Sequence, residues 1–481
     1  MFSAVVVSDS IDQTSLGALR DYLRAGGAVL CSSKVYTQLS GQENITTFLR
    51  YLCEEPNSIL SDIGLIDLYC VCQLPKNAND IWTNKGRFSI FVGEYHGGSI
   101  IVLPFDAGNL ILDERTATKS FYSSSKRFPF ERVSLISKGG IRKLVSRSLE
   151  ILHHRRGLPY AHKWYYPAED QIIFVFRIDT DYAGRNDVES LYNLALHYKM
   201  PFTWFADVKS QEGLLPLYRD MQGHEIGIHC YNHQRYRNAD VAIQDIRKAI
   251  DLFRTHGLVA RSYAAPYGYW NDHTAQAIES FGFEYSSEFS YDYDNLPSHP
   301  VIQGKQLNTL QIPVHPISIG SLRRLSYSER EMMSYFQGVM ESKLSAREPL
   351  IFYHHPKNNH HHVLESIFNF IQAHHVKPTR MIDVASWWKL RQSAQINIEL
   401  ENSKLKVTAG ASDSNVFLRI SRGDDMEGFA PIQSIIHLEN LQWKPRPKPL
   451  PLPEDIFHIR RFNPWIPFIH LEDVLFRIFK K

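Results

Sequence analysis

The chain has 481 residues, 43% hydrophobic and 22% charged, and its 53 Lys and Arg nearly cancel its 51 Asp and Glu to leave a formal net charge of +2. That length exceeds one ordinary core and implies two to four domains, and the composition excludes a disordered chain. The charge balance gives no bulk electrostatic case for nucleic acid or a membrane surface, and no apolar run is long enough to span a bilayer.

The five cysteines (Cys31, Cys53, Cys70, Cys72, Cys230) are sparse and lack zinc-ribbon spacing, which fits a reduced, cytoplasmic chain. "MFSAVVVSDSIDQ" has no basic n-region, so no signal peptide is read there. A strand-like run this early also suits a domain whose first elements lie upstream, in which case the missing export signal carries no weight. Residues 1–150 read as α/β: "AVVV" is a strand, "SLGALRDYLRAGG" puts Leu16, Leu19 and Leu23 on one helical face, and "AVLC" and "GGSIIVLPFDAG" hold further strands. This pattern resembles the flavodoxin-like domains related to class I glutamine amidotransferases. That family's catalytic Cys lies in a G-x-C-x-G elbow, whereas Cys31 in "AVLCSS" has neither glycine, so the domain is expected to be non-catalytic. Cys70 and Cys72 in "YCVC" are expected to be buried strand residues.

"LPYAHKWYYPAEDQ" reads as a linker, and residues 165–392 as a second α/β domain. Its apolar runs are "IIFVF", "FTWF", "EIGI", "FEYSS", "LQIPV", "LIFY" and "RMIDV", each taken as a strand. Between them, "DVESLYNLALHY" follows an Asn186–Glu189 cap, and "DVAIQDIRKAIDLFRTHG" aligns Ala242, Ile246, Ala249 and Phe253 before Gly257. This alternation predicts a parallel sheet closed toward a barrel. Residues 393–445 alternate apolar and polar and predict a small β-rich domain. Residues 446–481 hold the Pro-rich "WKPRPKPLPLPED" and an amphipathic helix "IHLEDVLFRIFKK". His360, His361 and His362 are read as a solvated run, and Cys230 as a small buried packer.

The polar residues of interest fall just after strands. Asp179 and Asp181 follow "IIFVFRI", His229 and His233 follow "EIGI", His315 follows "LQIPV", and His354 and His355 follow "LIFY". In a barrel of parallel strands that end carries the active site. Two His four apart at a helix start can share one metal ion, and one carboxylate completes a facial set that leaves positions open. The Asp pair then divides into one ligand and one base acting on metal-activated water. Trp204, Tyr269, Trp270 and Tyr291 are candidates for a sugar-stacking platform.

"RIDTD", "HCYNH", "APYG" and "LIFYHHP", in this order, resemble the motifs of the polysaccharide deacetylases of the NodB-homology type, carbohydrate esterase family 4. The resemblance implies a distorted (β/α) barrel, flanked by the flavodoxin-like domain and the β-rich domain. It implies a divalent metal, zinc first and Co, Mn, Ni or Fe as alternatives, with Asp181, His229 and His233 as ligands. Asp179 would be the general base, His355 the general acid with His354 as the adjacent alternative, and the Tyr267 backbone N–H an oxyanion donor. Pro266, Tyr269, Trp270, His315 and His354 would line the substrate site. The activity implied is hydrolysis of acetyl groups, N-acetyl before O-acetyl, from a carbohydrate. Two alternatives are a hydrolase of other non-peptide C–N bonds and a carbohydrate-binding protein with impaired turnover. The family usually has an Arg two residues before the "PYG" proline to hold the base, where this chain has Ala264; Arg261 or Arg177 is the candidate replacement. No Asp is identifiable that orients the acidic His.

Overall fold

The computed structural model describes all residues except Met1, Pro56, Asp170, 411–414 and, within 454–481, all but Ile456, Ile459, 466–468 and Leu471. The C-terminal amphipathic helix expected from the sequence therefore lies largely outside the described residues. The chain forms two compact units, each assembled from separate stretches: 1–115, 135–171 and 386–449 in one, and 116–134, 172–385 and 450–481 in the other.

In the first unit the expected strands form at Val5–Val7, Ala28–Ser32 and Gly98–Leu103, which are mutually parallel neighbours. Asp12 caps the helix Gln13–Arg24, which buries Leu16, Leu19 and Leu23. The sheet then departs from a doubly wound pattern. Four more strands, Phe88–Tyr95, Asp80–Thr83, Asn44–Cys53 and Leu65–Pro75, extend it antiparallel to seven. Cys31 is buried in this sheet, and burial pushes its thiol pKa far up. Cys72 is buried as expected, whereas Cys70 is half-buried. The stretch read as a linker contributes a strand instead. Tyr160–Lys163 pairs antiparallel with Phe417–Arg422, so the β-rich segment takes an edge from upstream.

The second unit is built on eight parallel strands: β1 (Ile173–Asp179), β2 (Phe202–Asp207), β3 (Glu225–Cys230), β4 (Ser262–Tyr263), β5 (Tyr285–Ser286), β6 (Leu310–Gln311), β7 (Leu350–His354) and β8 (Lys377–Pro378). Their order is β6-β5-β4-β3-β2-β1-β7, with β8 also on β1, which makes a curled sheet of the distorted (β/α)-barrel kind. The helix Arg185–Tyr198 is capped by Gly184 and Asp187, whose Oδ2 accepts from the Gly184 N–H at 3.0 Å, rather than by Asn186 and Glu189. "RMIDV" is not a strand. It opens the helix Met381–Ser393, because the first amides find acceptors on the sheet: Met381 N–H donates to Thr203 Oγ1 and Ile382 N–H to buried Glu225.

Strand alternation sorts β1 into two faces. Phe174, Phe176 and Ile178 pack with Leu191, Leu194 and Phe368 from the surrounding helices. Val175, Arg177 and Asp179 therefore face the barrel interior. A buried arginine on an interior face demands a partner, and the site supplies it.

Candidate metal centre and active site

Arg177 is fully buried and grips Asp179 with both arms: Nε donates to Oδ1 and Nη2 to Oδ2, each at 2.7 Å. Its remaining Nη1 donates to the carbonyl and hydroxyl of Ser287, and its guanidinium lies 5.3 Å from the Phe205 ring centre and 5.8 Å from that of Tyr353. Burial works against the guanidinium's charge, but Asp179 outweighs it and holds the Arg177 pKa above its ordinary value. Arg177 is thus the residue that reaches Asp179. Arg261 is spent elsewhere, on Glu284 at a solvent-exposed edge.

Asp181 lies two residues on, where β1 has ended. Its Oδ1 is 3.1 Å from His229 Nε2, and its Oδ2 is 3.1 Å from His233 Nε2 and 3.5 Å from His355 Nε2. His229 ends β3 and its Nδ1 lies 2.7 Å from the Ala264 carbonyl. A carbonyl only accepts, so Nδ1 carries a hydrogen and Nε2 is the ring atom turned toward Asp181. The two histidines do not share a helical face as expected, since the following helix begins at Ala239. Instead a loop returns His233 to His229. Buried Asp245, on that helix, pins the loop by accepting from the Tyr231 and Asn232 amides, the Asn232 side chain and the Tyr236 hydroxyl. Asp245 was legible in principle as an acid on the apolar face of "DVAIQDIRKAI", beside Ala242 and Ile246.

Despite the short distances, Asp181 Oδ1, His229 Nε2 and His233 Nε2 are buried without a hydrogen-bond partner. The ligand atoms of these three residues lie within 4.8 Å of one another, the one such group among the described residues. Two imidazole nitrogens and a carboxylate oxygen gathered this closely fit a bound cation, and two imidazoles plus one carboxylate suit zinc or a similar divalent ion. The ion-free charges agree. Burial pushes the Asp181 pKa up, but His229 and His355 outweigh it and hold it well below the carboxylate range. Burial likewise disfavours charge on His229, but Asp181 and then Asp179 raise its pKa from 6.5 to about 9.

The "APYG" segment forms a 3-10 turn, Pro266–Gly268, with Tyr267 in the left-handed region at φ 62°. Buried Glu288 braces its entry by accepting from the Ala265 N–H at 2.9 Å and from Gln311. Gly268 also has positive φ, and a Cβ there would collide with the Phe289 ring. The Tyr267 ring packs on the His233 ring at 4.7 Å.

Several expected substrate contacts are not brought to this centre. His354 is in register with Ile178 on β1, so it shares that residue's outward face and stacks on Phe176. His355, one residue later, turns inward to Asp181. His315 is buried between Asp294 and Tyr335, at 2.8 and 3.1 Å, and makes no contact with His355. Trp204, Trp270 and Tyr291 are packed into the barrel's core, and Pro266 is buried, which leaves Tyr269 half-buried near the mouth. Cys230 is buried as expected but not merely as a packer, since its thiol donates to Asp207 Oδ1 at 3.4 Å. His360 pairs with Glu329 at 3.0 Å and His361 reaches Ser190, so that run is only partly solvated.

A curled parallel sheet with a carboxylate–imidazole cluster at its strand ends defines a (β/α)-barrel domain with a candidate metal centre. The profile of the family described as polysaccharide deacetylase matches residues 170–286, so the chain carries a domain of that family. No curated protein matches the chain. Solved structures with a similar fold include one from Mycobacterium smegmatis assigned as a polysaccharide deacetylase, 16% identical, covering 47% of this chain and 93% of that one, TM-score 0.40. The PuuE allantoinase is 18% identical and covers 47% of this chain and 92% of its own, TM-score 0.40. A CE4 family pseudoenzyme from Bacillus anthracis is 14% identical and covers 55% and 77%, TM-score 0.33.

Proposed function

We propose that this protein is a divalent-metal-dependent hydrolase that removes acetyl groups, N-acetyl before O-acetyl, from a carbohydrate. The observation that carries the reading is the trio of unpartnered ligand atoms on Asp181, His229 and His233, close to a carboxylate fixed by a buried arginine. These three residues would hold the ion, zinc before Co, Mn, Ni or Fe, and the ion would supply Lewis acidity toward the acyl oxygen and the attacking water.

The chain's own groups take the remaining roles. Asp179 is the general base: Arg177 occupies one lone pair on each carboxylate oxygen and leaves a second on each to take a proton. The Tyr267 N–H, presented by the strained turn, is the donor for the oxyanion. His355, whose Nε2 already faces the Asp181 carboxylate, is the acid for the leaving group. Such an acid matters more for an amine than for an alkoxide, which favours the N-acetyl substrate. Arg177 fills the place of the arginine absent at Ala264, reaching the base from two residues before it on the same strand face.

The test is acetate release from acetylated oligosaccharides by the zinc-loaded protein and by Asp179→Asn. The variant should keep about one equivalent of zinc and lose about 10²–10⁴-fold in rate. Undiminished release by the variant would remove Asp179 as the base.

A further inference from the structure

Two of the five cysteines form a pair outside the candidate metal centre. Cys70 and Cys72 are alternate residues of the strand Leu65–Pro75, so both thiols project from one face. Their sulfurs are 3.6 Å apart, and the Cys72 Sγ also lies 3.9 Å from the Cys70 carbonyl oxygen. Alternate Cα atoms on a regular strand are about 6.6 Å apart, near the upper end of the roughly 4.4–6.8 Å that a disulfide spans. The chain departs from that regularity immediately before the pair. Register against Asn44–Cys53 slips between Leu49 and Tyr51, so Leu68 and Tyr69 stand opposite Arg50 alone, and Tyr69 takes φ 44°. Such a bulge re-aims the side chains beside it. The strand also lies at the edge of the sheet, with a strand neighbour on one side only, so a small contraction there disturbs a single ladder.

The two thiols differ in access and in their hold on a proton. Cys72 is buried, and its hydrogen bond with Cys70, then burial, push its pKa far up. Cys70 is half-buried, and the bond from Cys72, helped by the nearby Arg115 guanidinium, lowers its pKa against the cost of burial. Asp113, which accepts from Arg115 Nε at 2.8 Å, opposes this only in part. Cys31, Cys53 and Cys230 are each buried, and burial raises the pKa of all three. A reachable thiolate backed by a buried thiol is the arrangement in which one sulfur attacks and a second resolves.

We propose that Cys70 and Cys72 are a redox-active dithiol, oxidised to an intramolecular disulfide by exchange with a small-molecule disulfide. The Cys70 thiolate attacks one sulfur of that molecule, forming a mixed disulfide and expelling a thiolate, which takes up the Cys72 proton. Cys72 then attacks Cys70 Sγ, closes the bond between the two side chains and expels the second thiolate, which takes a proton from water. Two protein thiols are oxidised, and the external disulfide is reduced to two thiols. The ring closes across the single residue Val71 at a partly exposed sulfur, so excess thiol reopens it.

The experiment exposes the full chain to glutathione disulfide, alkylates the remaining thiols in denaturant and maps the peptides by mass. The peptide holding Cys70 and Cys72 should lose two hydrogens and take up no alkylating group, while Cys31, Cys53 and Cys230 are alkylated. Excess dithiothreitol should restore both thiols. In Cys72→Ser the first step has no successor, so Cys70 should retain glutathione. In Cys70→Ser, Cys72 should react about tenfold more slowly, or less, than Cys70 does in the unmutated chain. Glutathione persisting on Cys70 of the unmutated protein would overturn the pairing. Alkylation of all five thiols after exposure, or oxidation of Cys31 or Cys53 as fast as of Cys70, would overturn the site. Both of these outcomes are read on the unmutated protein, so neither depends on a variant folding.

Discussion

At the scale of single residues, His229 meets two demands. Its Nδ1–H is committed to the Ala264 carbonyl, so only Nε2 can gain or lose a proton. Without metal its pKa is raised from 6.5 to about 9, because Asp181 and Asp179 outweigh the cost of burial. The interaction of charged His229 with Asp181 then stabilises the metal-free fold fully below pH 6.5 and is lost as the pH rises through about 9. Chelator-treated protein should therefore melt at progressively lower temperature across that window, and zinc uptake at neutral pH should release a proton from the ring. Flat melting temperatures across the window would remove this coupling. Asp179, Asp181, His229 and His233 could be picked out from the sequence as candidates because aspartates and histidines at strand ends are residue types suited to metal chemistry. Arg177 was harder, because its role depends on a parity argument: inside "FVFRID" it must be buried, and the same-face neighbour two along is Asp179.

At the scale of elements, loops set the geometry of the candidate ligands. His233 reaches His229 because Asp245 gathers several donors from the connecting turn. Replacing Asp245 by Ala leaves those donors without their shared acceptor and should cut zinc affinity about 10–100-fold, measured by competition with a chromophoric chelator. Unchanged affinity would mean that the loop holds its shape unaided. Long runs such as β1 and β7 were legible from apolar patterning. "RMIDV" was misread because the acceptors that start its helix, Thr203 and Glu225, lie over 150 residues upstream. The strand Tyr160–Lys163 was missed for a related reason: its partner, Phe417–Arg422, follows the barrel in sequence.

At the scale of the whole molecule, continuous domain boundaries are a poor description. The stretch 116–134 belongs with the barrel's unit although it lies within the N-terminal region. Its antiparallel hairpin places Phe121 against Tyr293 and His315, pairs Arg127 with Glu331, and has the Ser134 N–H donate to the Phe289 carbonyl. Residues 165–392 alone would lack these contacts. Such a fragment should melt about 4–8 °C below one spanning 116–392, corresponding to roughly 2 kcal/mol. Equal midpoints by calorimetry would show that the hairpin adds no stability. An insertion whose contacts span some two hundred residues is invisible to local patterning, which is why the sequence suggested a simple succession of domains.

The hydrogen bond that aims His229 ends on a peptide oxygen of Ala264 rather than on a side chain. A main-chain acceptor outlasts any replacement at that position that leaves the backbone in place, so the imbalance between an altered signature and intact geometry is tolerable. A search that insists on a charged residue there would pass over chains like this one while their imidazole remained correctly aimed.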